Sequence, residues 1–194
     1  MNFLKRLYFD VVSFFIMLVV KGTGWIHAPW THKKTCQDDI EAIKEVLIPG
    51  DIILTHTEGE FTTLTIPGFW KHCEIYVDYR KTVGAVSPKA RMAWLEDVIH
   101  GTDYFCVIRM KGVTEKEGGI IAEHAYDNIG KFYDIRMNFK KGDKISCSEL
   151  VFNAINESRP NYLELRNRLG FMTVTPQDLH DAKSKFEIIY EKLD

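Results

Sequence analysis

Lys144 to Ile155 reads KISCSELVFNAI, and Cys147 stands where an apolar-periodic helix begins. Ser146 or Cys147 falls at or just inside the N-cap. Backbone N–H groups left free there, together with the helix dipole, stabilise an anion. A cysteine in that place has its thiol pKa lowered and becomes nucleophilic. The same N–H groups can serve as part of an oxyanion hole. The plainer reading of the position alone is a small apolar filler at a helix start.

The second informative stretch is His72 to Tyr79, HCEIYVDY, β-branched and aromatic, which predicts a strand. Alternation sets His72, Glu74 and Tyr76 on one face and Cys73, Ile75 and Val77 on the other. Ile75 and Val77 read as core, so Cys73 reads as buried and inert. His72 is a candidate base for a thiol. Among the other six histidines (27, 32, 56, 100, 124 and 180), His56, which follows a strand, is the serious rival.

Outward from these stretches, Asp38 and Asp39 open a short helix carrying Ile40, Ile43, Val46 and Leu47, which Pro49-Gly50 stops. Asp51–Thr55 is a strand, Glu58–Pro67 a loop or hairpin, and Thr82–Val86 a short strand. Trp94–Ile99 gives one or two helical turns, and Tyr104–Met110 a strong strand. Thr114–Phe132 is a helix whose Gly118-Gly119 pair weakens its early part. Ser146–Ser158 is a helix stopped by Pro160, and Tyr162–Leu169 reads as another. Thr175 and Pro176 supply the N-cap and first position of a third, and Phe186–Tyr190 is a final strand. Hairpin-linked strands with segregated helices mean an α+β fold, not a doubly wound sheet.

The chain has 194 residues, 45% of them hydrophobic and 27% charged, which excludes a disordered chain, a collagen and a polytopic membrane protein. Lys and Arg number 25 against 27 Asp and Glu. With no basic excess, nucleic acid is not the expected partner. The cysteines at 36, 73, 106 and 147 form no CxxC pair, which argues against a zinc ribbon or a disulfide framework.

The N-terminus departs from this average. Lys5 and Arg6 precede a run from Val11 to Val20 broken only by Ser13, shorter than the about 20 apolar residues of a membrane span. It is expected to be an anchoring or docking helix; an uncleaved signal, a plain packed helix and a true span are the alternatives. Gly22, Gly24 and Pro29 follow in a linker-like stretch. The organisation expected is an arm and linker over 1–34 and one domain over 35–194. Residues 1–28 are the expected contact with a membrane surface or protein assembly, and envelope association follows from them.

Four further pieces, in order, carry a resemblance. They are Pro49-Gly50-Asp51-Ile52-Ile53-Leu54-Thr55, then Ile66-Pro67-Gly68-Phe69-Trp70-Lys71-His72 with Ile75-Tyr76-Val77. Gly130-Lys131-Phe132-Tyr133-Asp134 with Ser146 to Val151 follows, and Val174-Thr175-Pro176 with Asp178-Leu179 ends the series. Over about 48–190 the chain resembles the permuted papain-like amidases of the YaeF/YiiX type, relatives of the NlpC-type cell-wall peptidases. The resemblance implies a circularly permuted papain-like fold, an antiparallel sheet or small barrel packed against helices. It implies Cys147 as nucleophile and His72 as its base. Many relatives carry a third polar residue, often Glu, on the strand after the histidine, where this chain has Gly84. Glu74 stands where relatives usually have a small residue, and is expected to take over the orienting role. Gly50-Asp51 reads as structural, with Asp51 tying up turn amides. Glu149 reads as capping support. Tyr133 is expected beside the site, and Trp70, with Phe61, Phe69 and Trp94, along a substrate groove, core being the plainer reading for such large apolar residues.

The expected activity is a cysteine hydrolase cleaving an amide through an acyl-enzyme, with no metal or organic cofactor. The resemblance implies a peptide, cell-wall-like or acyl-amide substrate. Lipid acyl hydrolysis or transfer, as in the related lecithin–retinol acyltransferase branch, is the alternative. A rival from another class is an inactive structural or binding component of an envelope or virion assembly, since relatives occur in bacteria and phages.

Overall fold

The computed structural model describes residues 35–59, 66–135, 139, 142–168 and 171–193. The expected arm over 1–34, and Phe61, lie outside the described residues. In chain order the elements are α1 (Gln37–Lys44), β1 (Ile52–His56), β2 (His72–Asp78), β3 (Lys81–Ala85), β4 (Ala90–Trp94), α2 (Leu95–His100) and β5 (Tyr104–Met110). Then come α3 (Glu115–Asp127), β6 (Phe132–Tyr133), β7 (Lys144–Ile145), α4 (Cys147–Ser158), β8 (Arg166–Arg168), β9 (Phe171–Thr173), α5 (Pro176–Asp181) and β10 (Phe186–Lys192).

Six strands form one open antiparallel sheet in the order β10-β5-β1-β2-β3-β4. Its core side joins Ile52, Leu54, Cys73, Ile75, Val77 and Ile108 with Ile121 and Ala125 of α3 and Leu150, Val151 and Ala154 of α4. On the other side Ile53, Tyr76, Phe105 and Val107 meet Ile40 and Ile43 of α1 and Leu95 and Ile99 of α2. β1 is therefore buried on both faces, which explains its unbroken apolar run. Mixed helix and sheet was expected, and the sheet is open rather than a closed barrel.

Two glycines act through close approach. Gly50 has φ +90°, and a Cβ there would lie 2.9 Å from the Gly118 Cα. A Cβ on Gly118 would lie 2.3 Å from the Pro49 carbonyl oxygen. The Pro49-Gly50 turn thus seats directly on α3, and a glycine that weakens the helix in isolation is required by its packing.

Asp51 follows that turn, with 0% of its surface exposed. Its Oδ2 accepts the Ile48 N–H at 2.9 Å, as expected of a turn aspartate. Arg109 of β5 adds a fork, Nε to Oδ1 at 2.7 Å and Nη2 to Oδ2 at 2.8 Å. Asp51→Asn leaves the Arg109 guanidinium half-paired at the sheet and is expected to destabilise the fold by about 3 kcal/mol. Urea unfolding measures it, and a loss below about 1 kcal/mol would make the fork dispensable.

Two local expectations are corrected, and one strand was not foreseen. Of the helix expected over 162–169, the described residues 162–168 are not helical. The Asn156 side chain accepts from the Leu163 N–H at 2.8 Å and donates to the Leu163 carbonyl at 3.0 Å, holding the chain in turns before β8. The helix expected to run to Phe132 ends at Asp127; Gly130 takes φ +90° and Phe132 enters a short strand with half its surface exposed. β4 lacks a legible signature because it is an edge strand, with Arg91 and Met92 both open to solvent.

Candidate active site

α4 starts at Cys147. Ser146 is its N-cap, the Ser146 Oγ accepting from the Glu149 N–H at 3.3 Å while Glu149 Oε2 accepts from the Ser146 N–H at 3.4 Å. This reciprocal cap satisfies the N3 donor and leaves the N–H groups of Cys147 and Ser148 without intrahelical acceptors. Burial, with Asp134 nearby, pushes the Glu149 carboxyl up to about 7. The approach to the helix is fixed by β6 and β7, a parallel pair matching Tyr133 with Ile145. Tyr133 also donates its N–H to the Pro88 carbonyl at 2.9 Å, so the β3–β4 turn and the start of α4 are held together.

His72 opens β2, paired across to Thr55. Its ring and the Cys147 sulfur lie close enough for each to shift the ionisation of the other. Its Nε2 lies 3.1 Å from Glu74 Oε1, which leaves Nδ1 for the thiol. Glu74 is 1% exposed, and its second oxygen accepts from the Thr82 hydroxyl of β3. Glu74 and Gly84 are directly paired across β2 and β3. A Cβ at Gly84 would lie 2.5 Å from Glu74 Cγ and 2.7 Å from Oε1. The carboxylate occupies the space that the glycine leaves open. Two residues along a strand span about 6.5 Å, yet the carboxylate reaches back to the ring directly.

The charges of these groups support one another. Burial disfavours an imidazolium at His72, but hydrogen bonds and charge from Cys147 and Glu74 outweigh it and raise its pKa to about 10. The Cys147 thiol is held well below its ordinary value, first by a hydrogen bond from the Cys73 thiol, then, against burial, by His72 and the Cys73 backbone N–H. Burial also opposes ionisation of Glu74, and His72, Thr82 and Arg91 bring its pKa below the usual range. The arrangement is a thiolate–imidazolium pair with a buried carboxylate behind the ring, able to attack an acyl carbon and to donate a proton to a leaving group.

Cys73 is buried, as expected, but it is not inert. Burial pushes its thiol up, and its place beside Cys147 lowers the pKa of that thiol. Sequence marks neither Cys73 as a neighbour of the Cys147 thiol nor Thr82 as a partner of Glu74, because these contacts depend on where α4 and β3 lie against β2.

The remaining expectations divide. Tyr133 is half-buried against the cluster containing Cys147, and burial together with the Cys147 charge raises its phenol pKa. Trp70 is corrected: with 1% exposure it is a core residue, its ring 5.0 Å from Phe69 and 5.7 Å from His180, and it offers no open surface to a substrate. Trp94 is exposed under Lys81 at the opposite end of the β3–β4 ladder from the histidine. His56 faces Phe69 at 4.4 Å and Tyr104 at 5.6 Å, and burial lowers its pKa; it is an aromatic-cluster histidine, not a partner of the thiol.

Comparison with known proteins agrees with this geometry. The family model of the permuted papain-like amidase enzyme, YaeF/YiiX, C92 family, matches residues 46–190. No curated protein matches the chain. Among solved structures, the crystal structure of metalloprotein yiiX from Escherichia coli O157:H7 superposes with a TM-score of 0.66 at 18% identity. The match covers 76% of this chain and 98% of that one, and shows a common fold. With the family match running from before β1 into β10 and including α3, α4, His72 and Cys147, this chain belongs to the permuted papain-like amidases of the YaeF/YiiX type, a family of cysteine hydrolases.

Proposed function

We propose that the chain hydrolyses an amide bond through a Cys147 acyl-enzyme, with His72 as proton carrier and Glu74 as the group that orients it. The observation that carries this reading is the Glu74–His72 hydrogen bond at 3.1 Å behind a ring whose other side meets the thiol. The thiolate attacks the carbonyl carbon. The developing oxyanion is met by N–H groups at the start of α4. The His72 imidazolium protonates the leaving nitrogen as the C–N bond breaks, giving an amine and a thioester. A water then loses its proton to His72 and attacks the thioester. The carboxylic acid leaves and the thiolate–imidazolium pair is restored. Glu74 holds the ring by Nε2 and favours its charged form. Tyr133, beside the thiol, is the residue proposed to contact the substrate. The same chemistry extends to the alternative of acyl hydrolysis or transfer on a lipid.

The proposed substrates are peptide, cell-wall-like or acyl amides. Incubation with peptidoglycan fragments, peptides and fatty-acyl amides, followed by mass spectrometry of the intact protein, should trap an acyl adduct on Cys147. The adduct must be missing from Cys147→Ala. The inactive-component reading drew its support from the glycine at position 84; with Glu74 filling that space, the hydrolase reading has the stronger support.

Residues 1–34 are proposed as a separable arm that contacts a membrane surface or an assembly partner through 1–28. Thr35 already belongs to the domain: its hydroxyl is shared between the Ile99 and Thr102 carbonyls at 2.7 and 2.8 Å. A chain starting at Thr35 is expected to keep its circular dichroism and thiol reactivity while losing association with liposomes or envelope fractions. Failure of that shortened chain to fold would make the arm part of the core.

A further inference from the structure

Cys106, His180 and Glu191 come from β5, α5 and β10, and their ligand-type atoms all lie within 4.8 Å of one another. Nothing in the spacing of positions 106, 180 and 191 announces this; the register that pairs Cys106 with Glu191 creates it. Cys106 lies on the core side of the sheet, paired to Leu54, which is paired in turn to Cys73. The cluster is therefore two strands, roughly 10 Å, from the cysteine beside the nucleophile and belongs to a separate place.

The ring of His180 is presented in a particular way. Its Nδ1 lies 3.3 Å from Asp181 Oδ1 and its Nε2 2.8 Å from Glu191 Oε1. A carboxylate behind one ring nitrogen is the arrangement that orients a metal-binding imidazole and fixes its tautomer. In one tautomer Nε2–H donates to Glu191; in the other, with Nδ1–H given to Asp181, the Nε2 lone pair and the Glu191 oxygen converge on a point that a cation can take. Lys183 supplies one, its Nζ 3.4 Å from Nε2. Lys183 is exposed, on a flexible stem, and can leave. Cys106 completes the set with a fully buried thiol within 4.8 Å of the Glu191 carboxylate.

We propose that Cys106, His180 and Glu191 form a binding site for one zinc-like divalent transition-metal ion, which ties α5 to the β5–β10 edge of the sheet. Sulfur, imidazole and carboxylate together suit a borderline-soft cation and not magnesium or calcium. In a tetrahedral zinc site ligand atoms lie about 3.5 Å apart, so the sulfur need approach by no more than about an ångström while the imidazole–carboxylate contact opens by less than that. The thiol proton leaves to solvent on coordination, Lys183 swings away, and the fourth position is open to water.

The test is titration of the full-length protein with cobalt(II), read by the sulfur-to-cobalt charge-transfer absorption, with zinc as competitor. One cobalt per chain is expected, displaced by zinc. The band should persist in Cys147→Ala and vanish in Cys106→Ser. Should Cys106→Ser fail to fold, the exposed Glu191→Gln carries the same test and should weaken cobalt at least about tenfold; Asp181→Asn should weaken it about tenfold by freeing the ring. Lys183→Ala should tighten binding. Absence of the band in the full-length protein, its survival in both Cys106→Ser and Glu191→Gln, or its loss in Cys147→Ala alone would overturn the site. The last result would put the metal on the nucleophile instead.

Discussion

Cys147→Ala is expected to lower kcat/KM on any substrate of this protein by about four orders of magnitude, and His72→Ala by a similar factor, because the two act as one unit. The pH dependence separates this outcome from a general loss of folding. The Cys147 thiol ionises well below its ordinary range, so the nucleophile forms as pH rises through that low value and is already present where an ordinary thiol is still protonated. His72 keeps its proton until about pH 10, so the proton needed by the leaving group is present below that value and lost above it. Turnover should therefore fall on the alkaline side near pH 10. Alkylation by iodoacetamide, which needs the thiolate alone, should stay fast there. Mapped by mass spectrometry, modification of Cys147 should be fast at pH 6 in wild type and slow in His72→Ala, with the profile moving toward the ordinary thiol range of about 8.5. Cys73→Ala should move it the same way by removing the donor to the sulfur. A wild-type profile with its midpoint near 8.5 would sink the ion-pair reading.

Glu74 and Gly84 carry the second large effect. Glu74→Gln keeps the size of the side chain but removes the charge behind His72. The imidazolium loses support, its pKa falls, and that of Cys147 rises with it. A loss of about 100-fold in kcat/KM is expected, with the fold retained. Gly84→Ala reaches the same group by a steric route, since its Cβ would meet Glu74 Cγ at 2.5 Å and Cδ at 2.6 Å. Glu74 is enclosed by Thr82 and His72 and cannot withdraw freely. The expected results are a stability loss of about 1–3 kcal/mol and the same alkaline shift of the alkylation profile. Combining Glu74→Ala with Gly84→Ala should recover stability, because the clash is gone, while activity stays low; the two sites are in contact and will not be additive. An unchanged alkylation profile in Glu74→Gln would reduce Glu74 to a structural carboxylate and the site to a dyad.

Cys147 at a helix start was legible because capping is local: Ser146 and Glu149 sit within one turn and need no distant partner. The strands at 52–56, 72–78 and 104–110 were legible for the same kind of reason, since burial on one or both faces writes itself into alternation or into an apolar run. β4 was not, because an edge strand open to solvent carries no such pattern. The stretch 162–168 was misread because the side chain of Asn156 takes the backbone groups of Leu163, seven residues on, that a helix would have used.

Trp70 shows the limit for site residues. Its chemistry suits a groove as well as a core, and only the covering α5 decides that it is core. Glu74 is the converse case. The identity of both residues, Glu at 74 and Gly at 84, stands in the sequence, and with it the suggestion that one compensates for the other. Register alone decides that they face each other across two strands, so that the missing side chain of one makes room for the carboxylate of the other. The thiol of Cys73 beside Cys147, the fork of Arg109 on Asp51 and the meeting of Cys106, His180 and Glu191 belong to the same class. The first partner in each lies on the sheet and the second arrives from a distant element. Sequence by itself determined the local pieces: the helix that begins at the nucleophile, the strand that begins at the histidine, and their order along the chain. Tertiary structure alone decided what surrounds the sulfur and the ring, because hydrogen bonds and burial act over a few ångströms of space and take no account of distance along the chain.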